Sequence, residues 1–291
     1  MRRIMLILIA GIIGIGITVW ATKPPEIPHY VMTIHPMSGK DNPYHREYEE
    51  MLAPVVKIET ESGTGSGVVF TTKNTKGTEN TIYVLTAGHV VGDYSAVTVT
   101  FYSCHQDTKT QSDIEASVLI TDTNRDLALL TLNSEPASPS GRLITPNYSA
   151  KLAPRDYVPY LFTPVYAVGC SLGLQPRPSQ GIITSLCGLC DSVANNWEIS
   201  APILPGNSGG GVFDARTHEL IGIAVWVRTY HGQLVTTMAG VVPIQQIYEF
   251  LDLATKTLRH QEKLSALVAK KEGGENYERG RKEVSRRARP F

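Results

Sequence analysis

The first feature of the hydropathy pattern is an uninterrupted apolar run. Ile4 to Ala21 spans 18 residues without a charge, preceded by Arg2 and Arg3 and followed closely only by Lys23. That length just crosses a hydrocarbon core as a helix, and the flanking charges keep the N-terminus in the cytoplasm and export the body. Residues 1–21 are therefore expected to be a transmembrane signal-anchor. The competing expectation is a cleavable signal peptide, because Val19–Ala21 loosely fits a small-residue cleavage pattern. The length of the run and the interfacial Trp20 favour the anchor.

Thr22 to Tyr44 contains Pro24, Pro25, Pro28, Pro36 and Pro43 and has neither a helical nor a strand period. Residues 22–50 read as an extended tether. From Ala53 to Val242 the pattern becomes short, β-branched runs broken by Gly, Asn, Asp and Pro, among them "GSGVVFTT", "TIYVLTAGHVV", "AVTVTFYS", "LALLTL", "GIITSL" and "LIGIAVWVRT". About a dozen strands at this spacing predict an all-β fold. The Pro- and Ser-rich stretch Ser134–Pro159 divides them into two sets, so two six-stranded β-barrels are expected within residues 51–249. After Pro243 the period turns helical, with Ile244, Ile247, Phe250, Leu251, Leu258, Leu264 and Leu267 in step. Residues 250–272 are assigned to a C-terminal helix, and 273–291 to a polar, basic tail expected to be disordered.

Charge adds little. The 27 basic and 27 acidic residues cancel, so no global field points to nucleic acid, and none is expected as a partner. The segment from Lys256 onward carries eleven Lys or Arg against five Glu, which reads as a solvated basic end. Four cysteines are too few for a disulfide scaffold. The lone C-x-x-C of Cys187 and Cys190 lacks the second pair a zinc site needs. No metal and no cofactor are expected.

Chemistry concentrates in "GNSGG" (Gly206–Gly210), where one serine sits among glycines. A nucleophilic serine needs a base to take its proton and a carboxylate to orient that base. Candidate bases are His89, His105, His218 and His231; candidate acids are Asp93, Asp113, Asp122 and Asp126. His89 ends an apolar strand in the small-residue turn of "TAGH", and Asp126 stands immediately before the strand "LALL". Singly, each is more often a surface histidine or a turn aspartate.

Taken together, "TAGH", "DLALL" 37 residues on and "GNSGG" 82 residues further resemble the chymotrypsin-fold (trypsin-like) serine proteases. The likeness is closest to the exported HtrA/DegP-type enzymes and extends through "GTGSGVVF", "ASVLITDTNRDLALLTL", "VYAVGCSLG" and "AGVVPIQQI", from about Ala53 to Ile247. The resemblance implies Ser208 as nucleophile, His89 as general base and Asp126 as its orienting acid. It implies an oxyanion hole made by the backbone N–H groups of Gly206 and Ser208. The substrate pocket it implies is lined by Pro202, Ile203, Ala224, Val225 and Trp226; with no acid among them, small or aliphatic side chains are expected there. Asn207 stands where the digestive enzymes carry an aspartate that pairs with a newly cut N-terminus, so no activation cleavage of that kind is expected. HtrA-type sequences usually continue into a PDZ domain, and this chain is expected to lack one; an oligomer is left open. The expected function is a membrane-tethered, extracytoplasmic serine endopeptidase acting on protein and peptide substrates, with protein quality control as one role. Two alternatives stand beside it: a catalytically idle binding or scaffold module, and a protease dedicated to one precursor.

Overall fold

A computed structural model describes residues 42–73, 80–105, 108–134, 149–188 and 196–261, and twelve strands lie within them. The first six are β1 (Val55–Thr60), β2 (Gly63–Lys73), β3 (Asn80–Thr86), β4 (Ala96–His105), β5 (Thr108–Asp122) and β6 (Leu127–Leu132). They close into an antiparallel barrel in the order β1-β2-β3-β6-β5-β4. The second six are β7 (Pro164–Gly169), β8 (Arg177–Gly188), β9 (Asn196–Ile199), β10 (Gly211–Asp214), β11 (Leu220–Tyr230) and β12 (Gln233–Pro243). These close in the order β10-β11-β12-β9-β8-β7, with β10 pairing β7 from Gly211↔Val168 to Asp214↔Val165. The expected pair of six-stranded barrels is present.

Successive side chains on a strand face opposite sides, and this explains why several strands read as unbroken apolar runs. On β2, Val69 fills the interior of the first barrel, while Val68 and Phe70 join the cluster shared with the second. On β3, Val84 points inward and Leu85 outward; on β6, Ala128 and Leu130 point inward, Leu127 and Leu129 outward. A sheet covered on both faces has no polar side to alternate with. The outward residues meet Val212, Phe213 and Ile223 of the second barrel in one continuous core.

The chain between the barrels is strapped to both. Ala150 N–H donates to Val69 O (2.8 Å) and Ala153 N–H to Leu220 O (3.0 Å). After β12 a helix over residues 244–261 buries Ile244, Ile247, Phe250 and Ala254 on the core. It starts inside the expected barrel segment, directly after Pro243, where the helical period begins. Its Glu249 pairs with Arg125 at 2.9 Å, bracing the β5–β6 turn.

One boundary differs from the expected tether of residues 22–50. His45–Glu47 and Tyr48–Leu52 already form helical turns. Tyr48 and Met51, three residues apart, share a helix face and are buried, and Glu50 Oε2 lies 2.7 Å from His218 Nδ1. The prolines that prevent helix end at Pro43. The expected anchor helix, most of the tether and the basic tail lie outside the described residues. Among the described residues no helix is long and apolar enough to cross a membrane.

Candidate active site

The site forms where β3 and β5 of the first barrel end against a tight turn of the second. After Thr86 the chain passes Ala87 into a single helical turn, Gly88–Val91, which carries His89. After β5, Asp122 Oδ1 accepts the N–H groups of Asn124 (3.0 Å) and Arg125 (3.1 Å). This side-chain-closed turn delivers Asp126 at φ +55°, a left-handed conformation few non-glycine residues adopt. There both carboxylate oxygens of Asp126 face His89: Oδ1 accepts its backbone N–H at 2.8 Å, and Oδ2 lies 2.7 Å from Nδ1.

A carboxylate only accepts, so Nδ1 must carry the proton and Nε2 keeps a lone pair. The hydrogen bond to Asp126 holds the His89 pKa above the ordinary imidazole value, while partial burial pulls the other way. Among the described residues Asp93 makes no hydrogen bond with His89 or any other histidine, and four of the other candidates are engaged elsewhere. Asp113 is bonded by Thr100 and Gln111, Asp122 pairs with Arg125, His218 contacts Glu50, and His231 packs edge-on against Tyr230. The His105 side chain lies outside the described residues.

Across the seam, the Gly206–Gly210 turn is fixed by its backbone. Pro205 O accepts Leu172 N–H (2.7 Å), Asn207 O accepts Gly210 N–H (2.9 Å) and Ser208 O accepts Ser66 N–H (2.8 Å). In a trans peptide the N–H points opposite to the carbonyl. Gly206 N–H therefore points away from Leu172, and Ser208 N–H away from Gly210. Neither has an acceptor among the described residues. Two donors left open two residues apart on one turn are suited to a developing oxyanion. Gly206 takes φ +95°, and an added Cβ would stand 2.4 Å from Cys170 O.

Gly209 brings this turn against the His89 segment. At φ +84°, a Cβ there would stand 2.1 Å from Ser66 O, 2.2 Å from Thr86 Oγ1 and 2.9 Å from Ala87 N. Its N–H donates to Ala224 O at 2.7 Å. Gly209→Ala is expected to destabilise the domain by about 3 kcal/mol or more, combining backbone strain with an overpacked contact. A thermal melt should drop by roughly 6–12 °C; a melt within 2 °C of the parent would refute this account. The Ser208 hydroxyl makes no hydrogen bond to a described residue, so the contact between serine and imidazole is not closed here.

Ser66 escaped the sequence reading, and Asn207, expected only as the uncharged neighbour of Ser208, is built into the turn. Asn207 is buried, and its Oδ1 accepts the Ser171 hydroxyl at 2.6 Å; the turn is anchored within the chain by a neutral pair. Ser66 on β2 is fully buried, its hydroxyl donating to Gly206 O at 2.6 Å. The signal for it was a serine between glycines inside a strand, where close backbone approach is common. Cys170 lies beside Ser66, and burial pushes its thiol up to about 12. It is no rival nucleophile at neutral pH.

The expected pocket residues divide. Ile203, Ala224 and Val225 are buried, Pro202 is exposed, and Trp226 is half-buried. Ala224 joins the Gly206–Gly210 turn through both backbone groups, to Gly209 and Gly210. The Trp226 ring lies across Gly240, its strand partner. The nearby carboxylate of Glu198 is taken by Arg228 at 2.7 Å. Cys187 sits on β8, while Cys190 lies outside the described residues.

Comparison with known proteins agrees with this architecture. Residues 65–223 match the trypsin-like peptidase domain family. A "Serine protease HtrA-like" protein of Staphylococcus epidermidis is 28% identical over 221 residues, 72% of this chain and 33% of that protein. The "Putative serine protease HhoA" of Synechocystis is 30% identical over 217 residues, 71% of this chain and 47% of that one. The chain thus spans a third to a half of these relatives. Among solved structures, the serine endoprotease from Yersinia pestis aligns over 73% of this chain and 66% of its own, with TM-score 0.55 and 21% identity. The HtrA-type protease AlgW with tripeptide aligns over 72% and 62%, with TM-score 0.57 and 20% identity. Both share the fold.

Proposed function

This chain belongs to the trypsin-like peptidase domain family, and on that premise we propose that it is an HtrA-type serine endopeptidase working through an acyl-enzyme. Ser208 Oγ attacks the scissile carbonyl carbon as His89 Nε2 takes its proton. The N–H groups of Gly206 and Ser208 receive the oxyanion. The C–N bond then breaks, and His89 returns the proton to the leaving amine. Water, deprotonated by the same imidazole, hydrolyses the ester and frees Ser208. Asp126 holds the tautomer and stabilises the imidazolium. What supports the reading is the 2.7 Å pair between His89 Nδ1 and Asp126 Oδ2, standing beside a turn with two open N–H donors.

A fluorophosphonate probe tests it. Labelling of the parent at Ser208, absent in Ser208→Ala, supports the enzyme. No labelling would favour a catalytically idle binding module, a reading that draws on the open contact between Ser208 and His89.

The primary pocket is apolar, walled by Pro202, Ile203, Ala224, Val225 and Trp226. Digestion of a denatured proteome is expected to give cuts after small or aliphatic residues, read by mass spectrometry. Cuts mainly after Lys or Arg would refute the assignment. The body acts outside the cytoplasm on misfolded or envelope proteins, tethered by the apolar run Ile4–Ala21. Protease accessibility of the body in intact cells and in opened cells tests that topology.

A further inference from the structure

We propose that Ser66 is a positioning residue for the oxyanion hole: a hydroxyl of the first barrel that holds the Gly206 peptide of the second in its working orientation. The inference rests on the reading of Gly206 and Ser208 as the oxyanion donors.

Ser66 is fully buried, yet every polar group it carries is used. Cys170 N–H can only donate, so at 2.7 Å Oγ must accept there, and the single hydroxyl proton goes to Gly206 O at 2.6 Å. The backbone of Ser66 binds the same turn from its other end, its N–H donating to Ser208 O at 2.8 Å. Its carbonyl is held in turn by the Thr86 hydroxyl at 2.6 Å. One residue of β2 therefore grips both the first and the last residue of the Gly206–Ser208 turn.

The grip matters because Gly206 has no side chain to resist rotation. With the carbonyl of the 206–207 peptide clamped by Ser66, reorienting the 205–206 peptide must be absorbed by rotations around Gly206 and Pro205. Such a flip also breaks the bond from Leu172 N–H to Pro205 O. It would turn the Gly206 N–H out of the site. No bond of Ser66 reaches His89 or Asp126, so its action on the reaction passes through the turn alone. The hydroxyl is tightly housed, since even a Cβ on Gly169 would come within 3.1 Å of it.

The test compares the parent full-length chain with Ser66→Ala and Ser66→Cys. Rates on a peptide amide with an aliphatic P1 side chain are normalised to fluorophosphonate-labelled sites, and thermal melts are recorded alongside. Ser66→Ala is expected to lose about 10²-fold in kcat, in the range of a lost oxyanion donor, with KM within twofold. Affinity for a peptide aldehyde, whose adduct oxygen enters the hole, should fall by the same factor, and affinity for the carboxylate product should not. Ser66→Cys, a weaker donor of similar shape, should fall between the two. A purely structural residue would lower the melt and the fraction of labelled sites while leaving kcat per site within twofold; that result overturns the proposal. If Ser66→Ala does not fold, Ser66→Cys decides it: unchanged kcat per site and unchanged aldehyde affinity overturn it. Failure of the protease reading shows separately, as a parent chain that neither labels nor cleaves, and it takes this inference with it.

Discussion

Ser208→Ala is expected to lower kcat by ~10⁶-fold while leaving the fold intact. The size follows from removing the atom proposed to form the acyl bond: what would be left is binding and the proposed oxyanion donors, which act on water alone. Intactness follows from how the turn is held. Gly209 N–H to Ala224 O, Gly210 N–H to Asn207 O and Ser66 N–H to Ser208 O are all backbone bonds. None uses the hydroxyl, so the melt should move by no more than a surface substitution moves it, about 0.5 kcal/mol. Three measurements check this: turnover of an apolar peptide substrate, fluorophosphonate labelling and the thermal melt. Labelling that persists at another residue, or turnover above about one part in 10³, would show that Ser208 is not the nucleophile.

Asp126→Asn should lower kcat by ~10⁴-fold and also move the pH profile. Asparagine tolerates the left-handed backbone of Asp126 and can still accept the His89 N–H through its carbonyl, so the local fold survives. Its amide, however, can donate to Nδ1 and stabilise the tautomer that puts the proton on Nε2, where the base is needed. The sign of the pH effect follows from the role of the imidazole. His89 must be neutral to accept a proton, and its pKa is raised chiefly by the hydrogen bond to Asp126. In the parent, kcat/KM therefore rises with pH through a limb above the ordinary imidazole value and is lost as pH falls through it. In Asp126→Asn the limb should move down. An unmoved limb, or a rate within tenfold of the parent, would detach Asp126 from the reaction.

How far the chain could be read depended on what kind of interaction each feature reports. Strand-length runs report local burial. Even the unbroken ones, such as "LALLTL", were legible as strands because their short length separates them from helix. Their two-sidedness required the packed structure, where Leu129 faces the second barrel and Ala128 its own. The period after Pro243 located the helix for the same local reason. The end of the tether was misread because Tyr48 and Met51 have no period of their own; a single helical turn is stabilised by what it packs on.

Within the site, the sequence by itself determined the chemical inventory: an imidazole at a strand end, a carboxylate before a strand and a serine among glycines, each set by local residue type and spacing. Which acid meets which histidine was decided only in three dimensions. Asp113, Asp122 and Asp126 are alike in composition, and only the turn closed by Asp122 delivers Asp126 to His89. Ser66 is the clearest instance. It lies 140 residues from Gly206 in the chain, and no local pattern reports a hydrogen bond across that separation. Such a bond exists only once two independently closed barrels press their edges together, which makes the Gly206–Ser208 turn a property of the interface between them rather than of either half.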